Sequence, residues 1–142
     1  MSASTAGAVK AHIETLGLGV PVFRDGAGDT TTPPYVTVQE GIGYETEAHG
    51  DTGDPDADMG VGELVQVDLY LPARVRTSTG RAANAESYTA PDRLHRGLHG
   101  AALPSIGGAR VYGCLVESRL RWPIADNVAR HTLTIRVKRG IQ

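Results

Sequence analysis

Two stretches of strict alternation limit the fold more than any other feature of the chain. In Glu63-Leu-Val-Gln-Val-Asp-Leu-Tyr-Leu71, the apolar Val65, Val67, Leu69 and Leu71 alternate with Leu64, Gln66, Asp68 and Tyr70. Near the end of the chain, Leu133, Ile135 and Val137 alternate in the same way with Thr132, Thr134, Arg136 and Lys138. A period of two sends successive side chains to opposite faces of a strand, so both stretches read as strands with one buried and one wetted face. Something must then cover the buried face. Ser4 or Thr5 can cap a helix whose apolar positions Ala8, Val9, His12, Ile13 and Leu16 keep helical spacing, with Gly17 as its stop. Thr89-Ala-Pro-Asp92 starts a second helix, with a capping hydroxyl, a first-turn proline and a carboxylate at the positive helix end. Leu94, Leu98, Ala101 and Ala102 share one face of it, and it is expected to stop near Leu103-Pro104.

The remaining strands are read from local composition. Val20–Phe23 and Tyr35–Gln39 are short β-rich stretches joined by the Gly, Asp, Thr and Pro punctuation of Asp25 to Pro34. Arg110–Trp122 and Ala129–Arg139 read as two long strands, with Pro123–Asn127 as their hairpin connection. Pro72 to Ser87 has no steady period, beyond a helical tendency near Ala82, and its structure stays open at this level. The order is helix, three strands, helix, two strands in one domain spanning residues 1–142. This predicts an α+β fold: a mainly antiparallel sheet of about five strands with two helices packed on one face. An open sheet of this size leaves an edge to be covered or paired with another chain.

Charge is distributed unevenly. Residues 1–68 carry 2 basic and 12 acidic side chains, and residues 69–142 carry 12 basic and 4 acidic ones. The formal net charge of −2 therefore combines −10 with +8, and such a subunit is suited to meet copies of itself or two different neighbours. The single cysteine, Cys114, lies in the apolar run Val111–Val116 and reads as a small buried hydrophobe, with no internal disulfide possible. The N-terminus lacks the pattern of a signal peptide and no apolar run reaches the roughly 20 residues of a membrane span. A soluble protein made in the cytoplasm is expected.

Several local patterns together resemble a known family. The N-terminal helix, Pro34-Tyr-Val-Thr-Val38, Gly62-Glu-Leu-Val-Gln-Val-Asp-Leu-Tyr70, Leu94-His-Arg-Gly-Leu-His-Gly-Ala101, and the closing strands Val111 to Arg121 and Thr132 to Lys138 resemble the tail terminator, or tail completion, proteins of long-tailed bacteriophages. The likeness covers nearly the whole chain. The segment Arg74 to Ser87 and the length of the acidic loop Glu45 to Gly62 depart from the family pattern. The resemblance implies a structural virion protein, located at the head-proximal end of the tail and assembled in the host cytoplasm. Its expected partners are further copies of itself in a hexameric ring, the tail tube protein that the ring caps, and the head-tail connector or neck protein that docks on it. DNA passes through the channel without specific binding. Expected interface residues are the acidic Glu45, Glu47, Asp51, Asp54, Asp56 and Asp58, which could line the lumen, and the basic Arg74, Arg76, Arg81, Arg119, Arg121 and Arg136. A head-closure or minor tail role in the same neck region is the alternative.

Chemical sites are poorly supported by comparison. Asp54-Pro-Asp-Ala-Asp58 has the one-three-five spacing of a calcium loop, but the sixth and twelfth positions are Met59 and Val65 where Gly and a bidentate Glu are required. His95 and His99 are spaced to share a helix face, yet no third zinc ligand is evident. Gly41-Ile-Gly43 is followed by Thr46 where the third glycine of a dinucleotide loop belongs, and neither Lys10 nor Lys138 lies in a phosphate-cradling loop. No nucleophile elbow occurs. The expectation is a protein without enzymatic activity, metal or cofactor. Twelve basic residues in the second half leave a small nucleic-acid-binding module as a further alternative, although one Phe and one Trp make a poor stacking platform.

Overall fold

The computed structural model describes residues 4–28, 31–48, 59–72 and 81–140. Helix α1 spans Thr5–Glu14, strand β1 Val22–Arg24, β2 Tyr35–Ala48, β3 Met59–Pro72, helix α2 Arg81–Leu98, β4 Val111–Arg121 and β5 Val128–Gly140. The five strands form one sheet in the order β1-β2-β3-β5-β4. The fold is broadly α+β, with α1 lying over β1, β2 and β3 and α2 over β3, β4 and β5.

The expectation of a mainly antiparallel sheet is corrected, because the sheet is mixed. Strand β1 runs parallel to β2, pairing Val22 with Val36, Phe23 with Thr37 and Arg24 with Val38. Parallel neighbours usually require a crossover of a dozen or more residues. Here β1 has only three residues, so the segment from Asp25 to Pro34 needs to return the chain by little more than their length, roughly 10 Å. Positive φ at Asp25 (60°) and Gly26 (112°) turns the chain away from the hairpin path. The Asp25 N–H donates to the Val38 carbonyl at 2.9 Å and Arg24 pairs with Glu40 at 2.9 Å, which holds the return in place.

The alternating patterns define the buried face. Val65, Val67, Leu69 and Leu71 of β3 lie opposite Ile135, Leu133, His131 and Ala129 of β5, and all are buried. Val36 and Val38 of β2 and Cys114 of β4 extend this surface. Ala6, Ala8, Val9 and Ile13 of α1 and Leu94 and Leu98 of α2 close over it. Ser4 caps α1 by accepting a hydrogen bond from the Gly7 N–H at 3.0 Å. The helices meet where His12 Nε2 lies 2.7 Å from the Gly97 carbonyl, and a Cβ added at Gly97 would fall 2.5 Å from Leu16 Cδ1.

Several boundaries differ from the sequence reading. Helix α2 begins at Arg81, eight residues before Thr89, so Pro91 lies inside the helix. The run Arg81-Ala-Ala-Asn-Ala-Glu86 is rich in helix formers and extends the element backward. The same helix stops at Leu98, short of the end expected near Leu103-Pro104, and Gly100, with φ 77°, provides a left-handed turn just beyond it. Strands β2 and β3 are longer than expected and pair as far as Ala48 with Met59, so Glu45 and Glu47 belong to a strand. A register shift between Gln39 and Gly43 marks a bulge partway along β2.

Candidate assembly interface

Strand β4 lies at the end of the sheet, and its outer side is only partly covered. The Gly100 N–H donates to the Cys114 carbonyl at 2.7 Å, and the Val116 N–H donates to His99 Nδ1 at 3.1 Å. The end of α2 therefore caps the middle of this edge. Beyond Val116 the register shifts, and Glu117 to Arg121 are all exposed. Among the described residues, the large hydrophobic side chains that remain exposed are Tyr112, Leu115, Leu120, Trp122 and Ile124, each between 37% and 57%. All five lie on β4 or in the turn after it. Scattered apolar exposure is ordinary, whereas its concentration on one edge strand, among the described residues, makes that strand a candidate contact surface.

The sheet face opposite the helices carries a second arrangement, built from one residue near each strand. Phe23 meets Tyr35 edge-on at 6.1 Å, and Tyr35 stacks on Tyr70 at 4.7 Å. The Arg130 guanidinium lies 5.6 Å from the Tyr70 ring centroid and 4.7 Å from that of Trp122. Beneath this row Asp68, only 3% exposed, accepts hydrogen bonds from Arg130 Nε at 3.0 Å, Gln66 Nε2 at 2.7 Å and the Thr132 hydroxyl. Trp122 Nε1 donates in turn to Thr132 Oγ1 at 2.7 Å. A concavity of about 400 Å³ opens between Tyr35, Tyr70, Trp122, Arg130 and the β4–β5 turn.

Electrostatics follow from these contacts. Burial pushes the Tyr70 hydroxyl above its ordinary value, with the Asp68 charge acting in the same direction. Burial pulls Arg130 down, but the hydrogen bond and charge of Asp68 more than offset this and hold it above the usual guanidinium range. The hydrogen bond and charge of Arg119, 2.7 Å away, lower the Asp92 carboxyl. On the helix-covered face, burial lowers His131, reinforced by Arg119 and Arg121, and among the described residues its Nδ1 has no hydrogen-bond partner. Burial alone raises the Cys114 thiol to about 11, which leaves it protonated and unreactive at neutral pH.

The expected interface residues separate into several locations. Arg119 and Arg121 stand opposite Leu133 and His131, on the helix-covered side of β4. Arg136 stands opposite Leu64 and Leu115, on the other side, and pairs with Glu117. Arg81 is the first residue of α2, and Glu45 and Glu47 oppose Gly62 and Gly60. Asp51, Asp54, Asp56, Asp58, Arg74 and Arg76 lie outside the described residues. His95 and His99 have ring centroids 5.9 Å apart, and among the described residues no group of three His, Cys, Asp or Glu side chains could hold a metal ion. The aromatic row was missed at the sequence level. Its one legible signal is parity: Tyr70 shares the non-core phase of β3 with Asp68 and Gln66.

The topology also gives the charge division a spatial meaning. Residues up to β3 build one lateral half of the sheet, β1-β2-β3, and the residues after it build the other, β5-β4 with α2. The boundary in sequence between the acidic and basic segments falls near the end of β3. Among the described residues the two segments meet at the β3–β5 seam, where Arg130 pairs with Asp68 and Arg139 with Glu63.

No protein-family model and no curated protein matches the chain. Among solved structures, the chain is similar to one in a structure described as the virion of a native gene transfer agent particle, with a TM-score of 0.66. The sequences are 14% identical, and the match covers 97% of this chain and 96% of the other. At that identity the likeness is one of fold: the chain shares, over nearly its full length, the fold of a chain in that virion.

Proposed function

We propose that the protein is a structural component of a phage-like virion and acts as a tail terminator. Copies form a ring, with six the expected number, that caps the tail tube, ends its polymerisation and offers a docking surface to the head-tail connector. The observation that carries this reading is the end-to-end fold match to a virion chain. It is supported by an edge strand that concentrates the exposed large hydrophobic side chains of the described residues, since a ring subunit must bury such surface on its neighbours. The role requires positioning and complementarity, with no bond made or broken. Glu45 and Glu47 flank the acidic segment Asp51 to Asp58, and carboxylates on the channel wall would repel DNA phosphates and keep the passage free of adhesion.

The purified protein tests the ring directly. Mass photometry is expected to give a discrete species of six times the 15.0 kDa subunit, and negative-stain images should show closed rings with a central hole. A monomer at every concentration and salt tested, alone and with tail tube protein, would refute the ring. A protein that rings but binds only the connector would be assigned to the neck.

A further inference from the structure

We infer that the concavity on the helix-free face of the sheet is a docking site for an extended segment of a partner protein, one that carries a carboxylate beside an aromatic or proline side chain. The site stands on its own geometry and does not depend on the ring. Its polar wall is Arg130, opposite Tyr70 across the β3–β5 pair. Asp68, only 3% exposed, takes the Nε–H of Arg130 at 3.0 Å, which leaves the Nη1–Nη2 edge without a hydrogen-bond partner among the described residues. The guanidinium is also braced against two rings, 5.6 Å from the centroid of Tyr70 and 4.7 Å from that of Trp122. Trp122 is itself pinned, because its Nε1 donates to the Thr132 hydroxyl, which donates on to Asp68. A guanidinium fork held in one orientation suits a carboxylate, since two parallel N–H bonds form with little further loss of side-chain freedom. Arg130 is one-third exposed, so the open edge is within reach of a ligand.

The rest of the lining selects the flat neighbour of that carboxylate. Tyr35, Tyr70 and Trp122, with Pro33 and Pro123, border a space of about 400 Å³. Rings already fixed by their own contacts receive an aromatic or proline side chain at small entropic cost. Along the β4–β5 turn the site lies open, with Trp122 to Asp126 all exposed. An open site suits a chain that continues beyond it, whereas a free small molecule is normally enclosed over most of its surface. Nucleic acid fits the charges less well. Arg130 is the single cation among the described lining residues, and Asp68 beneath it and Asp126 at the rim offset its charge. A phosphate backbone calls for several cations along its path. One carboxylate needs only the one fork, whose local hydrogen-bond geometry the offset leaves intact.

The chain has a single tryptophan, and it borders the site, so Trp122 fluorescence of the full-length protein reports occupancy without a label. The probes are the capped peptide acetyl-Gly-Phe-Glu-Gly-amide and its counterpart with Gln in place of Glu. The acidic peptide is expected to shift the emission saturably and to bind about tenfold more tightly than the neutral one. Arg130→Lys keeps the charge but loses the fork, and should remove most of that difference, weakening the acidic peptide by about tenfold. Asp126→Asn alters an exposed residue at φ 52°, a conformation that asparagine adopts readily, so the fold is retained. Loss of its charge should tighten the acidic peptide about twofold. Equal binding of the two peptides, an unaltered affinity in Arg130→Lys, or weaker binding in Asp126→Asn would each overturn the carboxylate assignment. Tighter binding of a short oligothymidylate would reassign the site to single-stranded DNA, and tighter binding of N-acetylphenylalanine would reassign it to a free aromatic acid. Ring formation is read separately by mass, so failure of the ring and failure of this site are distinguishable.

Discussion

Removal of the Asp68 carboxylate is expected to destabilise the fold more than removal of any other charge among the described residues. The side chain is nearly inaccessible and accepts from Arg130, Gln66 and Thr132 at once. Truncation of one partner of a fully buried ion pair costs about 3–5 kcal/mol. Arg130 is one-third exposed, so water and the flanking rings take over part of its stabilisation, and Asp68→Ala should cost about 3 kcal/mol. For a domain of this size that corresponds to a fall in Tm of roughly 6–12 °C. Asp68→Asn keeps the shape and an acceptor and should cost about half as much. The assay is urea and thermal unfolding followed by circular dichroism, with a double-mutant cycle against Arg130→Ala, where coupling of about 1–2 kcal/mol is expected. Asp92→Ala, which breaks an exposed pair with Arg119, is the control and should leave the unfolding midpoint unchanged within error. An Asp68→Ala cost below about 1 kcal/mol, or strict additivity with Arg130→Ala, would refute the network as a unit.

Three further outcomes follow from the packing. Cys114, with its thiol raised to about 11 by burial, should resist maleimide at neutral pH and react within minutes once the chain is unfolded in urea; rapid labelling of the native protein would contradict its placement. Gly97→Ala would gain about 1 kcal/mol at an open helix position, but here its Cβ would meet Leu16. The substitution should therefore stabilise the Leu16→Ala background and fail to stabilise the parent chain, as read by Tm. His131 is lowered by burial and by Arg119 and Arg121. The unfolded chain binds its proton more readily, so its contribution is complete above about pH 6.5 and declines as pH falls toward the folded value. His131→Gln should flatten stability against pH over that interval, and an unchanged slope would show that another group controls it.

Period-two alternation carried the core. Val65, Val67, Leu69 and Leu71, and Leu133, Ile135 and Val137, were legible because each strand buries one face, and a slip of one residue would expose the whole set. The parallel pairing of β1 was not legible, since three residues give no period and the direction was decided by a loop with left-handed turns at Asp25 and Gly26. The start of α2 was misplaced because Pro91 reads as a first-turn residue, whereas the Ala-rich run before it continues the helix backward. Charge segregation was visible in the sequence, but its meaning depended on strand order, which no local pattern encodes. The row from Phe23 to Trp122 requires register between residues up to about a hundred positions apart, and only the assembled sheet supplies that.

The most direct test of the tail-terminator role is deletion of the coding sequence from the parent phage or particle, followed by negative-stain measurement of tube lengths and head attachment. That role predicts overlong tubes of variable length, unattached to DNA-filled heads, with normal length restored when the protein is supplied. Tubes of normal length on infectious particles would contradict it.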